Sequence, residues 1–316
     1  MPISMPAKLG AAAAALIALI VLPQLTSGYV VYLANLMLVY IILAIGLNIL
    51  IGETGQFGLA HVAFYGIGIY TTAILTSRYG ASFPVAVIAG MLLAGVIGFL
   101  LGAVSFRMRD IYLALSTFAF GEAMQWVFKS WDAVTNGPNG IRIPQASLFG
   151  FRITNDHDAY YVVLAVAIVT VLVTILLMQS RLGRAFRAVR ESEPAALALG
   201  VNVRRTKVIA FTLSAVYAGL AGGIFASFSS FIHPDSLGFT TTILVLTMIV
   251  VGGLGSIAGA VMGALILGLI QELLRQAPSY QEIIYGVILI LFMMYAPKGV
   301  IGALKARFSR SGSAAK

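Results

Sequence analysis

The 316-residue chain has no cysteine, so it builds no disulfide, no thiolate metal site and no thiol nucleophile. Charge is nearly as scarce. Asp, Glu, Lys and Arg make up 10% of the residues, against about 25% in an average soluble domain. With 11 acidic residues and 3 His, there is little material for catalytic or metal-ligand clusters. His157 and His233 stand at no metal-ligand spacing with any carboxylate, and no Ser–His–Asp arrangement stands out. No glycine-rich loop ending in Lys-Ser or Lys-Thr occurs, which removes the usual phosphate cradle of a nucleotide hydrolase. Soluble enzyme, disordered chain and coiled coil are excluded together.

What is present is apolar: 60% of the residues are hydrophobic, more than a water-soluble globule can hide. The composition predicts an all-α, polytopic transmembrane helical bundle. Runs near the roughly 20 residues of a membrane span fall at Leu9–Leu25, Val30–Ile51, Phe57–Ser77, Pro84–Phe106, Ile111–Phe128, Tyr160–Gln179, Val208–Ser227, Thr240–Val251, Ile257–Ile270 and Ile283–Ala296. That predicts about ten spans. The first run also has the look of a secretory signal core after Lys8, but the small-x-small pattern near Thr26-Ser27-Gly28 is poor, which favours a retained helix. The 33 glycines suit close helix packing in a bilayer.

Net charge is +9, yet no basic cluster is interleaved with aromatics as nucleic-acid binding would need, so the excess is read as a topology signal. With the N-terminus cytoplasmic, ten crossings put fifteen of the twenty Lys and Arg inside. Both termini and the basic loop 180–207 are then cytoplasmic, and the loop 130–159 lies outside. The transmembrane region is expected over 1–296, followed by a basic cytoplasmic tail at 297–316.

Three groups of residues are candidates for function. In the inner loop, Arg181 to Arg190 is basic, with Arg187 and Arg190 near its end, and Glu193-Pro194-Ala195-Ala196 runs on to Gly200. Ser192 or Glu193 can cap a helix, Pro194 fits its first turn, and Gly200 can stop it. A small Ala-rich helix, Pro194–Leu199, is the expected result, of a shape that a cleft on another protein accepts. The basic half has a blander reading, as an anchor at anionic lipid headgroups. Outside, Asn136 with Gly137, Pro138, Asn139 and Gly140 is a dense turn signal. Within the membrane, polar side chains are costly and mark pathways by default. Glu122 lies deep in the fifth run with Thr117 and Gly121 a turn before it, and His61 follows Gln56 in the third. Two readings stay open for these: they line a translocation pathway, or Glu122 and His61 satisfy each other or a helix backbone.

A weak echo also runs through the chain. Gly52, Gly55, Ala60 and Ala63 recur 200 positions later as Gly252, Gly255, Ala260 and Gly263. Paired glycine-interrupted segments point to repeats in transporters; chance in a glycine-rich chain serves as well. Gly252-Gly253-Leu254-Gly255-Ser256 separates either two half-helices or two helices meeting at a tight turn.

The spacing Glu193-Pro-Ala-Ala-x-x-x-Gly200 resembles the loop with which permease subunits of ABC importers dock their ATPases. Gly46–Gly52, Gly55–Gly66, Thr117–Glu122, Gly137–Ile141 and Gly252–Ser256, in that order, are similar to one branch of these. That branch is the LivM-type permeases of branched-chain amino acid importers. Pro194 departs from the family, which more often has an aliphatic residue there. The resemblance implies a bacterial inner-membrane importer of leucine, isoleucine and valine. It implies a related second permease, two ATPase subunits that bind the ATP and Mg, and an extracytoplasmic amino-acid-binding protein. This chain itself would hold no cofactor and no metal. The alternative from the residues alone is an ion-coupled secondary transporter of a small polar solute, for which Glu53 and Glu122 are the only intramembrane carboxylates.

Overall fold

The computed structural model describes residues 17–108, 110–144, 147–148, 151–152, 155–296 and 299–302. Of the first expected span, residues 17–25 are seen, and they are helical; the tail expected at 297–316 lies outside the described residues apart from 299–302. The principal helices are α1 (Gly28–Leu47), α2 (His61–Arg78), α3 (Phe83–Ser105), α4 (Asp110–Ser130), α5 (Asp156–Gln179), α6 (Arg181–Glu191), α7 (Glu193–Ala198), α8 (Val203–Phe225), α9 (Phe239–Gly252), α10 (Ile257–Leu273) and α11 (Gln281–Tyr295).

Hydrophobic runs alone suggest about ten spans, but among the described residues six helices are long and apolar enough to cross a membrane. These are Gly28–Glu53, Phe83–Ser105, Asp156–Gln179, Val203–Phe225, Ile257–Gln276 and Gln281–Gly302. The others fall short for separate reasons. Helix α9 stops after 14 residues at Gly252, about 21 Å at 1.5 Å per residue. Helix α4 carries Glu122, Gln125 and Lys129. Helix α2 has 18 residues but carries His61, Tyr65, Tyr70, three Thr, Ser77 and Arg78, and is too polar.

The core is a pair of nearly encased helices, α1 and α8, with α2 and α3 packed on α8. Small residues set this arrangement. On α3, Gly90, Ala94, Gly98 and Gly102 recur every fourth position, which puts them on one face. A Cβ added at Gly98 would collide with Ala215 of α8, and one at Gly102 would come 2.9 Å from Phe211 Cβ. Where α2 joins this seam, a Cβ at Gly68 would collide with the Gly219 carbonyl of α8, and one at Gly90 of α3 would lie 2.9 Å from the Gly68 carbonyl. In lipid there is no hydrophobic drive between helices, so backbone approach of this kind supplies the contact energy.

Helix α1 continues as a π-helical turn, Asn48–Glu53, and the chain then doubles back. Gln56 N–H donates to Leu50 O (3.1 Å), and residues 55–60, neither helix nor strand, form a stretch that runs back beside the helix they have just left. The His61 ring reaches the carbonyl of Leu43 at 2.9 Å, ten residues before Glu53, so this stretch climbs about 15 Å back along α1. Helix α2 therefore begins deep inside the fold. The second glycine box behaves differently: α9 ends at Gly252, Ser256 Oγ accepts from Gly259 N–H (3.1 Å) at the start of α10, and the two helices meet at a tight turn.

Among the described residues the bundle is all-helical except for two short ribbons in the loops that follow α4 and α8. Ile141–Arg142 pairs antiparallel with Phe231–Ile232, and Ser147–Leu148 with Phe151–Arg152. The turn expected at 137–140 is a 3-10 turn, Gly137–Asn139, with Asn136 Nδ2 donating to Gly140 O at 2.8 Å. It delivers Ile141 to its strand partner and so ties the loop between α4 and α5 to the segment after α8. Nearby, Lys129 pairs with Asp235, and that hydrogen bond holds the Asp235 carboxyl below its usual range.

Candidate functional site

Two regions collect the sequence candidates. The first is the basic loop 180–207. Residues 181–191, read as a basic stretch, form the amphipathic helix α6, whose buried face is Gly183, Phe186 and Val189. Ser192 then caps α7, its Oγ accepting from Ala195 N–H. The stop is built as a left-handed Gly200 (φ +81°), with Val201 N–H donating to Ala196 O at 2.9 Å. Ala196 is buried with Val189 and Val203, so α6, α7 and the start of α8 lock together.

The side chains divide between inward and outward roles. Arg187 donates to Met178 O (3.1 Å) at the end of α5, and Arg190 donates to Gly52 O. Glu193 pairs with Lys207 (2.5 Å), closing the loop on itself. Pro194, Ala195 and Gly200 are exposed. So are Leu197 (60%) and Leu199 (81%), which the sequence reading did not single out. The signal for them was available: two leucines inside a capped helix of a basic loop, with only Ala196 turned to the protein.

The second region lies around the start of α2. Gln56 is buried and donates to Thr54 Oγ1 and to Lys207 O, both at 3.2 Å, fastening the stretch 55–60 to α8. Leu59 N–H donates to Thr117 Oγ1 of α4 (2.9 Å), and Gly121, one turn on, passes Leu59 O with room for little more than a methyl group. His61 is buried, its Nδ1 2.9 Å from Ser214 Oγ and its Nε2 2.9 Å from Leu43 O. His61 and Glu122 do not meet. Both ring nitrogens of His61 are used within the bundle, which gives it a structural post joining α1, α2 and α8. His61→Ala leaves the Ser214 hydroxyl and Leu43 carbonyl without partners beside a cavity, and is expected to cost about 3 kcal/mol. A lowered melting temperature in detergent checks this; an unchanged one would contradict it.

Glu122 stands on the other side of α4. The exposed residues of that helix, Ile111, Tyr112, Leu115, Ala119, Glu122, Ala123 and Trp126, recur at three- and four-residue steps and form one stripe. Among the described residues no hydrogen bond or ion pair reaches Glu122. A carboxylate in the middle of an apolar stripe is expensive against lipid, so the stripe suits a protein partner or a water-filled passage. Thr117 and Gly121 join α4 to the stretch 55–60, on the side away from that stripe.

A helix that ends in a π turn and doubles back, a small-residue core and one carboxylate in an apolar stripe mark a polytopic helical membrane protein of the transporter class. The chain belongs to the family described as branched-chain amino acid transport system / permease component, whose model matches residues 29–293, and it is a LivM-type permease within it. The high-affinity branched-chain amino acid permease protein LivM of Escherichia coli K12 is 35% identical over 95% of this chain and 77% of its own length. LivH of Salmonella typhimurium, a permease of the same kind of system, is 27% identical over 83% of this chain and 91% of its own. A probable LivM of Methanocaldococcus jannaschii is 23% identical over 81% of this chain. No solved structure matches the chain.

Proposed function

We propose that this chain is the permease subunit of an ATP-driven importer of branched-chain amino acids in a bacterial inner membrane. It pairs with a LivH-like second permease, takes two ATPases on its inner side and receives substrate from an external binding protein. The chain crosses the membrane about ten times, with both termini and 180–207 inside. ATP and Mg belong to the partner ATPases. The observation that carries this reading is α7: a capped helix, locked to α6 and α8, that holds Leu197 and Leu199 out of a basic loop. Exposed leucines on a water-facing, otherwise charged loop indicate a surface that another protein covers.

The mechanism follows from two-state coupling. ATP binding draws the ATPases together, their clefts carry the α7 helices, and the bundle passes between outward and inward access. The energy is the differential affinity of the two states for nucleotide and for substrate. Glu122 faces the passage shared with the second permease, where its carboxylate meets the substrate ammonium group. Thr117 and Gly121 set the distance between α4 and the stretch 55–60.

The test is a reconstituted complex with Leu199→Asp. A charge in an apolar docking cleft is expected to lower uptake about tenfold or more, with the permease still inserted. ATP hydrolysis should no longer respond to loaded binding protein. Normal uptake would remove α7 from the coupling path. Orientation is checked in this cysteine-free chain with Ser192→Cys: labelling by an impermeant maleimide is expected only in inverted vesicles, and labelling of intact cells would reverse the topology.

A further inference from the structure

Arg190 reaches a place that no docking role requires. Its Nη1 donates to the carbonyl of Gly52, in the π turn that ends α1. A carbonyl at a helix end has no intrahelical donor, and a cation there is favoured by the helix dipole. The second glycine box arrives at the same point. Gly255 N–H donates to Asn48 Oδ1 of the π turn at 2.9 Å. A Cβ at Gly255 would collide with Arg190 Nη1 and lie 2.9 Å from Gly52 O. A Cβ at Gly55 would lie 3.3 Å from Arg190 Cγ, and one at Gly52 2.5 Å from Gly255 N. Gly55 (φ +72°) and Gly255 (φ +77°) also hold left-handed backbone, which a side chain would strain. The positive charges of Arg187 and Arg190 act on Glu53, which is 4% exposed in the same turn. Gly52, Gly55 and Gly255 thus clear a seat for one guanidinium.

We propose that Arg190 is a positioning residue that ties the inner loop to both glycine boxes, so that a displacement of α7 moves the start of α2 and the α9–α10 turn as one piece. The route is short and made of direct contacts. Helix α7 is locked to α6 through Ala196 and Val189, and Arg190 is next to Val189. From Gly52 and Gly55 the chain runs through Gln56 to Leu59, whose N–H is held by Thr117 on α4. Helix α4 carries Glu122. An Arg is suited to this because its flat guanidinium reaches the Gly52 carbonyl and also fills the space left at Gly255, whereas Lys offers a compact ammonium. The inference rests on α7 being the element the ATPases engage, and the test separates the two claims.

The experiment is hydrogen–deuterium exchange on the full reconstituted complex, nucleotide-free and trapped with ATP and vanadate, in wild type, Arg190→Gln and Arg190→Lys. In wild type, exchange at 193–200, 52–60 and 253–256 is expected to change together on trapping. In Arg190→Gln, 193–200 should still respond, while the response at 52–60 and 253–256 is lost. Uptake should fall about tenfold or more, the measure of one charge-assisted hydrogen bond. Arg190→Lys, which keeps the charge beside Glu53, should restore part of both and covers the case in which the Gln variant fails to assemble. A response at 52–60 in Arg190→Gln equal to wild type overturns the latch and leaves docking intact. No response at 193–200 in wild type overturns the docking reading, and the latch with it.

Discussion

Gly219→Leu is expected to abolish the folded bundle. Gly219 sits where α8 meets two helices at once: its added Cβ would come 2.6 Å from Ala94 Cβ and 3.1 Å from the Gly90 carbonyl on α3, and a Cβ on Gly68 of α2 would collide with the Gly219 carbonyl. The obstacles include backbone, which cannot change rotamer. A four-carbon side chain must therefore separate α3 or α2 from α8 along their length. Overpacking of a well-packed core costs about 1–3 kcal/mol when side chains can give, and more is expected where backbone blocks. Since membrane helices associate mainly through such packing, separating three of them removes most of what holds this half together. Expression followed by size-exclusion chromatography in mild detergent checks it: the variant should aggregate or be degraded, while Gly286→Leu on α11, where nothing lies within 4 Å of an added Cβ, should behave as wild type. A monodisperse Gly219→Leu protein would show that the seam is not what sets the bundle.

Glu122→Gln is the second large effect. It keeps shape and hydrogen-bonding capacity and removes the charge. If the carboxylate meets the substrate ammonium in a passage of low dielectric, uptake should fall about tenfold or more. Assembly, expression and the affinity of the binding protein should hold. Burying an acidic side chain against lipid costs about 2.5–3.5 kcal/mol at the bilayer centre, so a lipid-facing Glu122 predicts the reverse pattern. Glu122→Leu would then raise the melting temperature and leave uptake alone. Uptake and substrate-stimulated hydrolysis measured on one reconstituted sample distinguish the two, and unchanged uptake with intact assembly would sink the pathway role.

The inner helix was the most legible element. Ser192, Pro194 and Gly200 are local signals, and local chemistry decides caps and stops, so α7 falls within a residue of its expected place. The turn at 136–140 was legible for the same reason: Asn136 and Gly140 adopt left-handed backbone that few other residues tolerate. His61 was less so. A lone His in an apolar run states only that a partner is needed, and its partners, Ser214 and Leu43, are 153 and 18 residues away.

Composition and run length by themselves determined that this chain is an apolar helical bundle for a membrane, because a residue's cost in lipid or water is its own property and sums along the chain. Capping residues fixed where short helices start and stop, since their bonds reach only three or four positions. Tertiary structure alone decided that α2 begins halfway up the bundle and that Arg190 turns inward. It alone decided that the two glycine boxes meet at one guanidinium. Each of these depends on a carbonyl, a glycine or a gap supplied by residues far along the chain, and a contact between distant segments exists only once packing has brought them together.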